Sequence, residues 1–159
     1  MEKINFNAVA LLTTILAGIA GTLAMTCFTQ ITAQLLKKPF YVVIILATML
    51  PFKGELKFPA ASTYIVATIL HYLIGVVFSY IYLWLMLEGL ITNNTLTALL
   101  FGAAIGTVAI IGWRLFFMIH PSPPPIEPTY FVMIWVGHIW LSIIAAAIFR
   151  LNPLSIGAN

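Results

Sequence analysis

The sequence predicts an all-α membrane protein: a four-helix transmembrane bundle with a short interfacial helix after the first span. Three observations carry this. The 159 residues are 62% hydrophobic and only 7% charged, where a soluble domain carries roughly 25% charged residues. The mean hydropathy is +1.09, so the solvent for most of this surface is lipid. Four apolar runs between charges, 4–36, 58–87, 89–113 and 128–149, each exceed the ~20 residues that a crossing helix needs. The length suits one transmembrane domain, 1–159, and no second.

Taken in order, the runs place spans at 8–34, 62–86, 95–119 and 129–150. The third span extends past the charge at Arg114, because the apolar pattern continues to Ile119. A further apolar run, 39–52, lies between Lys38 and Lys53 and contains Pro39 and Pro51. As a helix it would reach only about 20 Å, short of the ~30 Å hydrocarbon core. It is therefore expected to be interfacial or re-entrant.

The loops give an orientation. Lys37, Lys38, Lys53 and Lys57 all fall between the first and second spans, and the loop around 88–94 has no basic residue. The positive-inside rule then puts the first loop and the stiff Pro-rich loop at 121–128 in the cytoplasm. Lys3 and Arg150 argue weakly the other way. A net charge of +3 with its lysines gathered in one loop is a topology signal, and no dense basic face exists to bind nucleic acid. Catalysis by carboxylates is not expected. There is no Asp, and Glu2, Glu55, Glu88 and Glu127 fall at helix ends or in loops. Cys27 stands alone and forms no intrachain disulfide.

Two helix pairs look alike. The first and third spans share a G-T-x-A core, at Gly21-Thr22 and Gly106-Thr107. The second and fourth each carry one His, His71 and His138, followed by small residues one and two turns later. This pattern suggests a parallel two-helix repeat about an axis along the membrane normal. Lipid supplies no hydrophobic force between helices, so packing relies on close contact through small residues. Gly18, Gly21, Gly102 and Gly106 are accordingly expected to bring the first and third spans together near the bundle axis.

The polar residues at depth are the candidate site. Tyr64 and Tyr130 are expected to mark an interface, and His71 and His138 lie 7 and 8 residues beyond them. By helical rise both imidazoles sit about 10–12 Å inside that boundary. Arg114 falls about 9 Å from the end of the third span by the same reckoning. Under the repeat alignment Thr29, with Gln30 beside it, matches Arg114. Four helices thus deliver Thr29 or Gln30, His71, Arg114 and His138 to one layer. Ionisable groups at depth usually face the bundle or a wet crevice. Two blander readings stay open: Arg114 snorkelling to headgroups, and each His donating to a neighbouring helix as structural glue.

Several chemistries suit such a layer. Two imidazoles from different helices can hold a b-type haem, with an Arg meeting a propionate. With Met25, Cys27 or Met118 they can hold a soft metal. A site for an anion or a quinone is a third option. The residue pattern has no C-x-x-C-H and no His ladder that would select among them.

GIAGTLAMT at 18–26, HYLIGVVFSYIY at 71–82, a third span ending in a Pro-rich turn, and WVGHIWLSIIAAAIF at 135–149 resemble the YagU-like family of bacterial four-span membrane proteins. In the last stretch Ser142 stands where Gly would be expected. The resemblance implies a helical multi-pass fold in a bacterial inner membrane and brings no activity with it. The expected function is that of a small binding or transport-type membrane protein with a polar site near the cytoplasmic side. A haem b or quinone redox subunit is the alternative, and a structural or assembly protein without a ligand is a third. The lipid bilayer is the expected partner. The small-molecule ligand is unspecified, and a homo-oligomer is left open.

Overall fold

The computed structural model of the chain describes residues 8–38, 41–50 and 61–152. Every regular element among them is a helix: α1 (Ala8–Leu35), α2 (Val42–Met49), α3 (Ala61–Leu87), α4 (Thr95–Ile119) and α5 (Pro128–Leu151). The four long helices have 28, 27, 25 and 24 residues. At 1.5 Å per residue even the shortest covers about 36 Å, enough to cross the hydrocarbon core. All four are long and apolar enough to span a membrane. Each lies within one residue of its expected boundaries.

Burial runs in the sense lipid requires. Large apolar side chains such as Leu12, Ile69, Leu100 and Val132 point outward. The interior is built from small and weakly polar residues, among them Ala17, Thr22, Ala67, Ser79, Ser142 and Ala145. Helices that must pack without a hydrophobic force do so through such residues.

The ends are set locally. α1 stops at Lys37, whose φ of 53° is left-handed, and Lys38 N–H returns to Ala33 O. α3 stops at Gly89, at φ 67°, with Leu90 N–H bonded to Leu85 O. Both follow the Schellman pattern, in which a left-handed residue lets the chain satisfy the last carbonyls. The Asn94 side chain caps α4 by accepting from Thr97 N–H at 2.9 Å. Pro128 opens α5, where a missing N–H costs nothing.

α5 is the hub, packing along α1 and α4, and α1 also packs along α3. The glycines fix these contacts. A Cβ on Gly18 would lie 2.5 Å from Val76 Cα on α3, and one on Gly21 would lie 2.7 Å from Leu141 O on α5. Gly102 and Gly106 press on Ile139 and Trp135 of α5. The expected meeting of the first and third spans is thereby corrected. α5 takes up the small-residue faces of both α1 and α4, and these two helices share no extended contact. Tyr130, in the first turn of α5, is wholly buried beside Met133 and Ile134.

The short apolar segment forms α2, eight residues long; the rest of 39–52, like Lys53 and Lys57, lies outside the described residues, apart from Tyr41 and Leu50. At about 12 Å it cannot cross a bilayer. It is tucked into one end of the bundle rather than laid on it. Val42, Ile45 and Met49 pack with Ala33, Tyr130 and Ile134, while Leu46 and Ala47 meet Ala67 and, on α4, Trp113. α3 and α4 form no extended contact with each other, and α2 fills the end of the gap between them.

Candidate functional site

That gap continues inward as a cavity of about 370 Å³. α1 gives it Thr22 and Met25, α2 gives Leu46, and α3 gives His71, Gly75 and Phe78. α4 gives Ala109, Gly112 and Trp113, and α5 gives His138 and Leu141. The walls are apolar apart from the two imidazoles and the Trp113 indole, and Thr22 lines them with its hydroxyl sealed.

The imidazoles are held differently, His71 by Thr26 of α1 and His138 by its own helix α5. Thr26 donates its hydroxyl proton to Thr22 O, one turn back, at 2.8 Å. His71 Nε2 lies 3.2 Å from that same Thr26 oxygen. His138 Nδ1 lies 2.8 Å from Ile134 O, one turn earlier on α5. The Phe78 ring stands edge-on to His138 with centroids 5.8 Å apart. Both imidazoles line the one cavity. The Thr22 hydroxyl is sealed from solvent and has no hydrogen-bond partner among the described residues. It fits only because position 75 is glycine, since a Cβ there would collide with it.

The structure brings together two of the five residues singled out in the sequence. His71 and His138 share the cavity. Arg114 is on the exposed side of α4, its guanidinium 5.5 Å from the centre of the Phe131 ring. Thr29 is buried against α5 near Gly137, with its hydroxyl donating to Thr26 O at 3.0 Å. Gln30 is exposed. Thr22 had no place among the site residues read from the sequence. Its only signal there was the G-T-x-A core, which reads as packing.

The lining bears on the candidate chemistries. A haem between His71 and His138 would have to share space with Phe78, and no Arg or Lys among the described residues lines the cavity to meet a propionate. Met25 lines it beside both imidazoles, but Cys27 and Met118 face outward. Among the described residues no three His, Cys, Asp or Glu side chains gather as a metal set. The arrangement is instead that of a small-molecule pocket, with apolar walls and a few convergent polar groups that orient a ligand.

At the α2 end, Lys38 Nζ meets Glu127 Oε1 at 2.6 Å, joining the end of α1 to the Pro-rich turn. Both side chains are about half exposed, so the pair adds little stability. No family model, curated protein or solved structure matches the chain.

Proposed function

We propose that this multi-pass membrane protein binds a small amphipathic molecule in the cavity between α3 and α4, with the ligand's polar end at His71 and His138. The convergence of two imidazoles in one apolar cavity carries this reading. Its volume of about 370 Å³ falls in the range of roughly 300–1,000 Å³ usual for small-molecule sites. Transport would need a second exit, and one turn beyond Gly75 and His138 the small residues Ser79 and Ser142 are closely buried. Binding requires only the cavity. The site lies toward the end that carries Lys37 and Lys38, which the positive-inside rule places in the cytoplasm. The YagU-like resemblance supports a bacterial inner membrane as the setting.

Ala109→Phe tests the reading, because it projects a ring into the cavity from α4. Native mass spectrometry of protein released from nanodiscs should show a retained small molecule on the unaltered chain and none on the variant. A retained molecule of the same mass on Ala109→Phe would place it on the lipid-facing surface. No retained molecule on either would favour a structural role for the imidazoles.

A further inference from the structure

We infer that the ligand is a neutral, hydroxyl-bearing amphiphile that enters sideways from the lipid between α3 and α4; this rests on the binding reading above. The argument begins with the protons on the two imidazoles. Thr26 has one hydroxyl proton, and it goes to Thr22 O. With the proton placed in that shorter 2.8 Å contact, the 3.2 Å contact with His71 Nε2 has the ring as donor. His71 thus carries its proton on Nε2 and leaves Nδ1 bare. Ile134 O can only accept, so His138 Nδ1 carries the proton in the 2.8 Å contact and leaves Nε2 bare. No carboxylate is at hand to hold either ring as a cation, since the described acidic residues, Glu88 and Glu127, are both exposed outside the spans.

The site therefore presents two acceptors. Neither bare nitrogen has a hydrogen-bond partner among the described residues, and neither is sealed as the Thr22 hydroxyl is. The Thr22 hydroxyl, sealed from the cavity as from solvent, takes no part. An alcohol or phenol oxygen matches this set, because its O–H donates to an imidazole. At the imidazoles a ketone or carboxylate would face lone pairs with lone pairs. A carboxylate would also lack a counter-charge, since Arg114 lies outside the lining. By the same logic a reduced diphenol is held and its oxidised dione is not.

The route in follows from the outer wall. Ile74 and Gly112 both line the cavity, yet Ile74 is 42% exposed and Gly112 is exposed as well. A Cβ on Gly112 would have nothing within 4 Å. With α3 and α4 out of extended contact, the wall is open toward the acyl chains.

Three photoreactive probes with one chain and different heads test this on the full protein in nanodiscs: a long-chain alcohol, its methyl ether and the matching carboxylic acid at neutral pH. The alcohol should label the cavity stretches of α3 and α4. The ether and the acid should need roughly tenfold higher concentration for the same labelling, the scale of one unmet buried acceptor. Gly112→Phe, which adds a ring in open space, should slow labelling severalfold at an unchanged melting temperature. Equal labelling of the cavity by alcohol and ether would overturn the hydroxyl assignment and leave the binding reading standing. Labelling confined to outward-facing side chains would overturn both. An unchanged rate in Gly112→Phe would overturn lateral entry.

Discussion

A hydroxyl sealed from water without a partner costs a fold about 1–3 kcal/mol, and Thr22 carries one. Thr22→Val keeps the branched shape and removes the unmet group. It should raise the stability of the ligand-free protein by about 1 kcal/mol, read as a higher melting temperature in detergent. A fall in stability would mean that the hydroxyl is met in the folded protein. Lys37 makes the complementary case for strain. A non-glycine residue in the left-handed region costs about 1–2 kcal/mol, and the α1 terminus needs that conformation there. Lys37→Gly should stabilise the protein by up to about 1 kcal/mol, because the turn is kept and the strain is removed; thermal melts of the two proteins check it.

The helices themselves were legible, because a bilayer dictates their length and excludes charge from their middles. Four apolar runs above ~20 residues leave little choice, and even Arg114 inside the third did not hide it. What the pattern left open was which neighbour each small-residue face would meet. Gly18, Gly21, Gly102 and Gly106 were rightly read as contact glycines, but their partners are on α3 and α5. Apolar periodicity marks a face and does not name the helix opposite. The glycines of α4 now separate two kinds of position. A side chain on Gly106 would meet Trp135 from 3.0 Å, whereas one on Gly112 would meet nothing. Gly106→Leu should therefore destabilise the protein by about 1–3 kcal/mol through overpacking. Gly112→Leu should leave the melting temperature unchanged or slightly raised, since it replaces a poor helix former. Equal effects at the two sites would refute the packing of α4 on α5.

At the scale of the whole molecule, the suspected repeat makes sense of where the cavity lies. It pairs α1 with α4 and α3 with α5, and the two packed pairs, α1–α3 and α4–α5, match under it. The third contact, α1–α5, should then have a counterpart between α4 and α3. It has no extended one: α3 and α4 touch through Tyr82 and Phe101, ring centroids 5.0 Å apart, and the cavity with α2 at its end occupies the rest of that place. His71 and His138 meet there because helical rise fixes depth well enough to align them from sequence. Arg114 does not join them because rise says nothing of direction: α4 packs along α5 alone among the long helices and leaves a wide arc to lipid. The bundle also makes a claim about sidedness. Antiparallel neighbours put Lys38 and Glu127 at one end, where their ion pair joins them, and Glu88 at the other. In a Cys27→Ser background, Lys38→Cys and Glu127→Cys should resist a membrane-impermeant maleimide in intact cells and react after permeabilisation. Glu88→Cys should react without it. A complete inversion of this pattern would overturn only the orientation drawn from the lysine-rich loop. Opposite sidedness of Lys38→Cys and Glu127→Cys would be decisive in another way. It would require an odd number of crossings between them, and the α3–α4 hairpin and the non-spanning α2 could not then both stand.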